Sequence, residues 1–284
     1  MKERTIISRS IYLTYSLDEL IEFGKGMAMG EIIRNVRFEE LEAFNRFLER
    51  SYGHKYGFFK SSHAPHNPDA IRCNLVVERD GCIVSHVGTY PMDIIIGSAR
   101  ILCAGVGGVA THPEERGKGY MSQLMEESLR KMREEGYHIS VLWGNQQRYS
   151  NFGYETCDIQ YKLTINRISL EHFKVQPVPL EEVDPQDEDV IKRIHQLHST
   201  LPYRVEPKHF DLRLLKYKVR VFLGPDGYLL SRNEKAGNLE IHEIVSPTHQ
   251  EAGLILGALN WTFGSAASLR LEPGEGERAD RLLM

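Results

Sequence analysis

Residues 101–111 are small, apolar and β-branched. A polar turn carrying Arg116-Gly117-Lys118-Gly119 follows, and then Met121, Leu124, Met125 and Met132 recur on one stripe with Glu126, Glu127, Arg130 and Lys131 opposite. This change of period predicts a strand, a glycine turn and an amphipathic helix that lays one face on a sheet. Upstream, 31–36 reads as a strand, and Phe38, Leu41, Phe44, Phe47 and Leu48 recur at helical spacing. Segments 74–78 and 82–90 flank Asp80-Gly81, a pair that tolerates the positive φ of a tight hairpin, and a second hairpin turns at Gly97-Ser98 between 92–96 and 100–111. Downstream, 139–143 predicts a short buried strand, 146–151 a short helix and 155–165 a further strand. The polar, proline-bearing stretch 58–70 reads as a loop.

Beyond Asn166 the pattern changes. Pro177, Pro179 and Pro185 stand in an acidic stretch that reads as a linker over 166–186. In a second unit, 187–284, the pattern predicts a helix at 187–197 and a hairpin around Pro225-Asp226-Gly227. A strand at 239–245, a helix at 251–263, a strand at 269–271 and a loose charged tail follow.

The glycine turn has chemistry of its own. The first N–H groups of a helix lack intrahelical acceptors, and the helix dipole adds positive charge there, so an anion fits. Gly117 and Gly119 permit positive φ and close approach of a phosphate to the main chain, while Arg116 and Lys118 add charge. The spelling is not that of a nucleotide P-loop, because Lys118 is followed by Gly119 and Tyr120 with no hydroxyl for magnesium. Nor is it a Rossmann fingerprint, because Tyr120, Met121 and Ser122 follow Gly117-Lys118-Gly119.

The turn resembles motif A of the GNAT acyltransferase superfamily, R-x-x-G-x-G/A, matched at Arg116 and Gly119 after Val109-Ala110-Thr111-His112-Pro113, with Met121 in place of the final small residue. A second piece, Leu142-Trp143-Gly144-Asn145 followed by Arg148-Tyr149-Ser150-Asn151-Phe152-Gly153-Tyr154-Glu155, is similar to the strand and helix that follow the split in that superfamily's sheet. The two spellings together resemble the branch that includes the enhanced intracellular survival acetyltransferases. The resemblance implies an α/β (α+β) fold: a mixed, mostly antiparallel sheet with helices on both faces over 31–165, then a second, degenerate GNAT-like half. That second half has no glycine cradle at Val245-Ser246-Pro247-Thr248-His249 and is expected to bind no cofactor.

For the site, the resemblance implies acetyl-CoA. Its pyrophosphate would be held by main-chain N–H groups of Arg116, Gly117, Lys118, Gly119, Tyr120 and Met121, and its pantetheine arm would lie beside Gly108, Val109 and Ala110 as a missing strand. Gly144 and Asn145, where the central strands diverge, would supply further contacts. An N–H near Val109 would meet the developing oxyanion. Tyr149 is placed as the general acid, since a phenol with a pKa of about 10 stays protonated at neutral pH; Phe152 and Tyr154 are expected to pack. Neither 101–111 nor 139–143 carries Asp or Glu, so a base or water comes from elsewhere. In the survival branch a terminal carboxylate from a third, sterol-carrier-like domain takes part. This chain stops at Met284, and that role is not carried over.

Composition narrows the picture only modestly. The 284 residues, 41% hydrophobic and 26% charged, make one or two globular domains, and a formal charge of −4 argues against nucleic acid. Residues 1–30 read as an extension whose apolar part is too short and mixed for a membrane span. Cys73, Cys82, Cys103 and Cys157 show no C-x-x-C spacing and suggest a reducing cytoplasm, with Cys103 a buried thiol. His63 and His66, and His195 and His198, read as surface residues rather than metal ligands. The expectation is a cytoplasmic acetyl-CoA-dependent N-acetyltransferase acting on a small-molecule or peptide amine, without metal, membrane or nucleic-acid partner and with a homo-oligomer left open. The alternative is a catalytically inactive acyl-CoA-binding regulatory protein.

Overall fold

Alternating strand patterns and one helical crossover per unit produce two mixed sheets. The computed structural model describes residues 6–7, 10–14, 30–54, 68–156, 160–207, 219–235 and 238–271. In chain order the strands and helices are β1 (Ile6–Ile7), β2 (Ser10–Thr14), β3 (Glu31–Asn35), α1 (Leu41–Tyr52), α2 (Pro68–Arg72), β4 (Asn74–Arg79), β5 (Cys82–Ile96), β6 (Ala99–Thr111), α3 (Tyr120–Glu134), β7 (Ile139–Trp143), α4 (Gln146–Tyr149) and β8 (Glu155–Thr156). They continue as β9 (Gln160–Asn166), α5 (Arg167–His172), β10 (Glu181–Val183), α6 (Glu188–His198), β11 (Tyr203–Pro207), β12 (Arg220–Gly224), β13 (Gly227–Lys235), β14 (Asn238–Val245), α7 (Glu251–Thr262) and β15 (Ala266–Leu271).

The first sheet runs β3-β4-β5-β6-β7-β2-β8, with β11 paired to the far end of β5. The second runs β1-β9-β15-β14-β13-β12-β10. Each is antiparallel except at one place: β6 with β7 in the first and β14 with β15 in the second, the pairs bridged by α3 and α7. A parallel pair needs a crossover, and here each crossover is a helix covering the sheet. The two halves thus repeat one plan, as the resemblance implies. Beneath α3, Leu124, Met125, Leu129 and Met132 meet Leu75, Val77, Val87, Ala104 and Val106; on the other face α1 lays Phe44, Phe47 and Leu48 against Val76 and Ala110.

The unit boundaries differ from the sequence expectation in three places. First, the strand expected over 155–165 is two strands. β8 ends the first sheet, while β9 pairs with β15 throughout, Ala266 opposite Asn166 to Leu271 opposite Tyr161, so the change of sheet precedes residue 160 rather than following 165. Second, the stretch expected as a linker over 166–186 is built into the second unit. Asn166 caps α5 by accepting from Ser169 N–H at 2.7 Å, β10 pairs with β12, and Val175, Val178 and Leu180 pack on the second core. Prolines suggested a linker, but the cause of this packing lies in α7: a Cβ on Gly257 would stand 2.2 Å from Val178 O, and one on Gly253 2.8 Å from Gln176 O. Two bare glycines one turn apart let that backbone lie directly on the helix. With the sheet beneath it, α7 is covered on both faces, which is why its sequence is apolar all round.

Third, the strands at 6–7 and 10–14 lie in different sheets. β2 inserts between β7 and β8, with Ser10 opposite Trp143 and Ile11 opposite Thr156, and β1 pairs Ile6 with Tyr161 in the second sheet. The register against 155–161 is unshifted from one sheet to the other. Residues 15–29, most of the 58–70 loop with His63 and His66, and Cys157 lie outside the described residues. Among those described, no helix is long and apolar enough to cross a membrane. His195 is half-exposed and its Nε2 lies 3.1 Å from Glu206, but His198 is buried, correcting its surface reading: Val205 O lies 2.8 Å from its Nε2 and Tyr228 Oη 3.2 Å from its Nδ1. Cys103 is fully buried, and burial pushes its thiol up to about 12, as suits a packing residue and not a nucleophile.

Candidate active site

The glycine turn takes its shape from φ. Gly117 and Gly119 stand at +80° and +85°, left-handed values, and a Cβ on either would meet nothing within 4 Å. The space over them is therefore open. Gly119 is the N-cap of α3 without a side-chain cap, the first turn holds no acidic residue, and Gln123 N–H is the first to find a backbone acceptor, Gly119 O at 3.1 Å. Among the described residues the N–H groups of Gly117 through Ser122 have no acceptor. A 15-residue helix thus points unpaired donors at open space, the arrangement that binds an anion.

The flanking cations act otherwise than expected. Arg116 turns back, its Nη2 donating to Ser51 O at 3.0 Å and its Nε to Thr111 O at 3.3 Å, and so ties the turn to α1 and β6. Lys118 donates to Glu115 at 2.7 Å, and Arg79 donates to the same oxygen at 3.0 Å; the two hold that carboxyl below the usual range. Both cations brace the loop. The Tyr120 ring is buried with its hydroxyl donating to Glu31, and Met121 packs on the core, so these two residues offer the turn only their main chain.

Next to the turn the sheet opens. β6 and β7 pair from Cys103 with Ile139 to Val106 with Leu142 and no further, so from Gly107 onward β6 is paired on its β5 side alone. Here β6 carries a bulge, seen as a register shift against β5 between His86 and Gly88, with Gly108 at φ +66°. Three groups fix the bulge from behind. Gly108 O lies 2.6 Å from His86 Nδ1, Val109 O accepts from Tyr52 Oη at 2.9 Å, and Ala110 O accepts from Ser85 Oγ at 3.1 Å. Gly108, Val109 and Ala110 therefore stand together on the splayed edge of β6.

Across the opening, Asn145 caps α4 by accepting from Arg148 N–H at 3.2 Å, and α4 presents Tyr149. A Cβ on Gly144 would stand 2.3 Å from Tyr149 Cε2, so this glycine makes room for the ring. Tyr149 is 7% exposed, edge-on to Tyr154 at 6.2 Å, and burial raises its pKa. Its hydroxyl has no hydrogen-bond partner among the described residues, whereas Tyr154 Oη is spent on Ser140 Oγ at 2.8 Å. Tyr149, Tyr154, Val106 and Leu142 belong to one apolar cluster, against which Val109 and Met121 also pack. Sequence reading missed Tyr52 and His86; the only signal was a polar residue at an inward position of β5, beside Gly88.

Residues 32–157 match the acetyltransferase (GNAT) domain family. No curated protein matches the chain significantly in sequence. Among solved structures the chain is similar to a GCN5-related N-acetyltransferase from Kribbella flavida, with 20% identity and a TM-score of 0.68 over 86% of this chain and 64% of that one. It is also similar to a GCN5-related N-acetyltransferase from Anabaena variabilis, with 18% identity and a TM-score of 0.68 over 86% and 66%. A third likeness is Eis1 from Mycobacterium abscessus, with 16% identity and a TM-score of 0.59 over 84% and 65%. At these identities the likeness is one of fold, and the chain spans just under two thirds of the length of each. The strand, glycine turn and helix described above lie inside the matched segment, so the part of the chain that carries the candidate site is the part similar to the GNAT acetyltransferase domain.

Proposed function

We propose that the protein transfers an acetyl group from acetyl-CoA directly to a primary amine of a small molecule or a protein. The observation that carries this reading is the open run of unpaired N–H groups from Gly117 to Ser122 beside the edge of β6 that β7 leaves. The residues present fit the group: the space a Cβ would fill over Gly117 and Gly119 is empty, and no acidic side chain in the first turn of α3 opposes a phosphate. Acetyl-CoA, when bound, supplies an acetyl thioester.

The chain supplies binding, orientation and a proton. The donors of the turn hold the pyrophosphate, and the splayed edge at Gly108, Val109 and Ala110 offers main-chain groups to an extended arm. Val109 N–H meets the oxygen on which negative charge develops. Tyr149 holds at its Oη the proton that a departing thiolate takes up, and the cluster around it keeps the ring in place.

Thiol release from acetyl-CoA, followed across polyamines, aminoglycosides, amino acids and peptides alongside a CoA thermal shift, tests this. Turnover with any amine supports it; binding without turnover leaves an acyl-CoA-binding regulatory module; no binding sinks both. Gly119→Val is expected to weaken CoA binding about tenfold or more in calorimetry, because a β-branched residue at φ +85° is strained and its methyls stand over the donors. An unchanged Kd would remove the turn from the binding site.

A further inference from the structure

His86 lies in β5, 1% exposed, with its ring edge-on to Phe44 at 4.8 Å. Its Nδ1 is 2.6 Å from Gly108 O and its Nε2 is 3.0 Å from Asn74 Oδ1. The Asn74 amide is fixed the other way round: Nδ2 donates to Ala70 O at 2.9 Å and Ile71 O at 3.1 Å, and Oδ1 also accepts from Tyr90 Oη at 2.8 Å. Both ring nitrogens therefore face oxygens that only accept. A neutral imidazole carries one N–H and one lone pair, so either tautomer would press a lone pair against an oxygen; only the imidazolium donates to both.

The bonded carbonyl belongs to the bulge. The chain has no cis peptide among its described residues, and in a trans peptide the N–H points opposite to the C=O, so drawing Gly108 O onto His86 turns Val109 N–H away from it. A charged donor on the carbonyl also polarises the peptide and strengthens that N–H as a donor. The fit is close, since a Cβ on Gly108 would stand 2.7 Å from His86 Cε1.

We propose that His86 is held as a buried imidazolium that positions the Gly108–Val109 peptide, so that Val109 N–H is set for the acyl oxygen during acetyl transfer. His86 is a positioning residue, and its role rests on the acetyl-transfer reading above.

Nitrogen NMR of 15N-histidine-labelled protein at pH 7.5 tests the charge without any ligand. Of the twelve histidines, the His86 signals are those lost in His86→Gln or, should that variant fold poorly, those shifted by Tyr90→Phe through Asn74. Both His86 nitrogens are expected at protonated shifts; one at a lone-pair shift overturns the imidazolium. His86→Gln keeps one donor and is expected to lower kcat about 10- to 100-fold, leaving the CoA Kd within about twofold. An unchanged kcat, or a loss confined to CoA affinity, overturns the positioning role. A wild type that neither binds CoA nor turns over overturns the underlying reading and the positioning role with it, while the nitrogen shifts still decide the charge.

Discussion

Tyr149→Phe is expected to lower kcat for acetyl transfer by about 10²- to 10⁴-fold while leaving CoA affinity nearly intact. The substitution removes one oxygen and keeps the ring, and the ring is what the structure packs, against Tyr154 and over Gly144. Because Tyr149 Oη has no partner among the described residues, its loss leaves no buried polar group unsatisfied, and the melting temperature should hold. Burial moves the phenol's pKa upward, so the hydroxyl stays protonated through neutral and moderately alkaline pH. Any fall in rate below about pH 10 then comes from another group. Steady-state kinetics of both proteins from pH 6 to 9.5 measure this. A variant with wild-type kcat would remove Tyr149 from the chemistry.

Gly257→Val is expected to destabilise the protein by about 3 kcal/mol or more in urea unfolding. The new Cβ would meet Val178 O at 2.2 Å, which is backbone and cannot rotate aside, and the second methylated branch worsens the clash. Separating the two elements would also break the bond from Val178 N–H to Gly253 O, now 3.0 Å. The gain in helix propensity over glycine, below about 1 kcal/mol, does not offset this. A stability change under about 1 kcal/mol would mean that 176–180 does not lie on α7 in solution. The first unit does not contain this contact, so loss of CoA binding at temperatures where the variant is folded is not expected.

The parts legible in the sequence were those whose cause is local. The turn at 116–119 could be read because glycines serve its positive φ angles, and the hairpin at Asp80-Gly81 because that pair tolerates φ of +50° and +77°. The short helix that carries Tyr149 was legible in its spelling, and the burial of Cys103 in its apolar run. The missed parts have causes distant in the chain. His86 reads as one more inward position of a strand; its meaning comes from Asn74 and from a bulge more than twenty residues later. Gly253 and Gly257 looked like ordinary helical residues, and 166–186 like a linker, because each explains the other and neither does so alone. Arg116 and Lys118 bring charge to the glycine turn, but the sequence did not show that Ser51 O, Thr111 O and Glu115 already engage them.

The strand at Ser10–Thr14 has a bearing on how the chain is made. It is made well ahead of its partners at 139–143 and 155–156, which follow some 125 to 145 residues behind, and those of Ile6–Ile7 follow later still. At about 5 to 20 residues per second, that strand waits roughly 6 to 30 s with nothing to pair with. The first sheet is therefore completed out of chain order, by a strand made early and held back until β7 and β8 exist on either side of it.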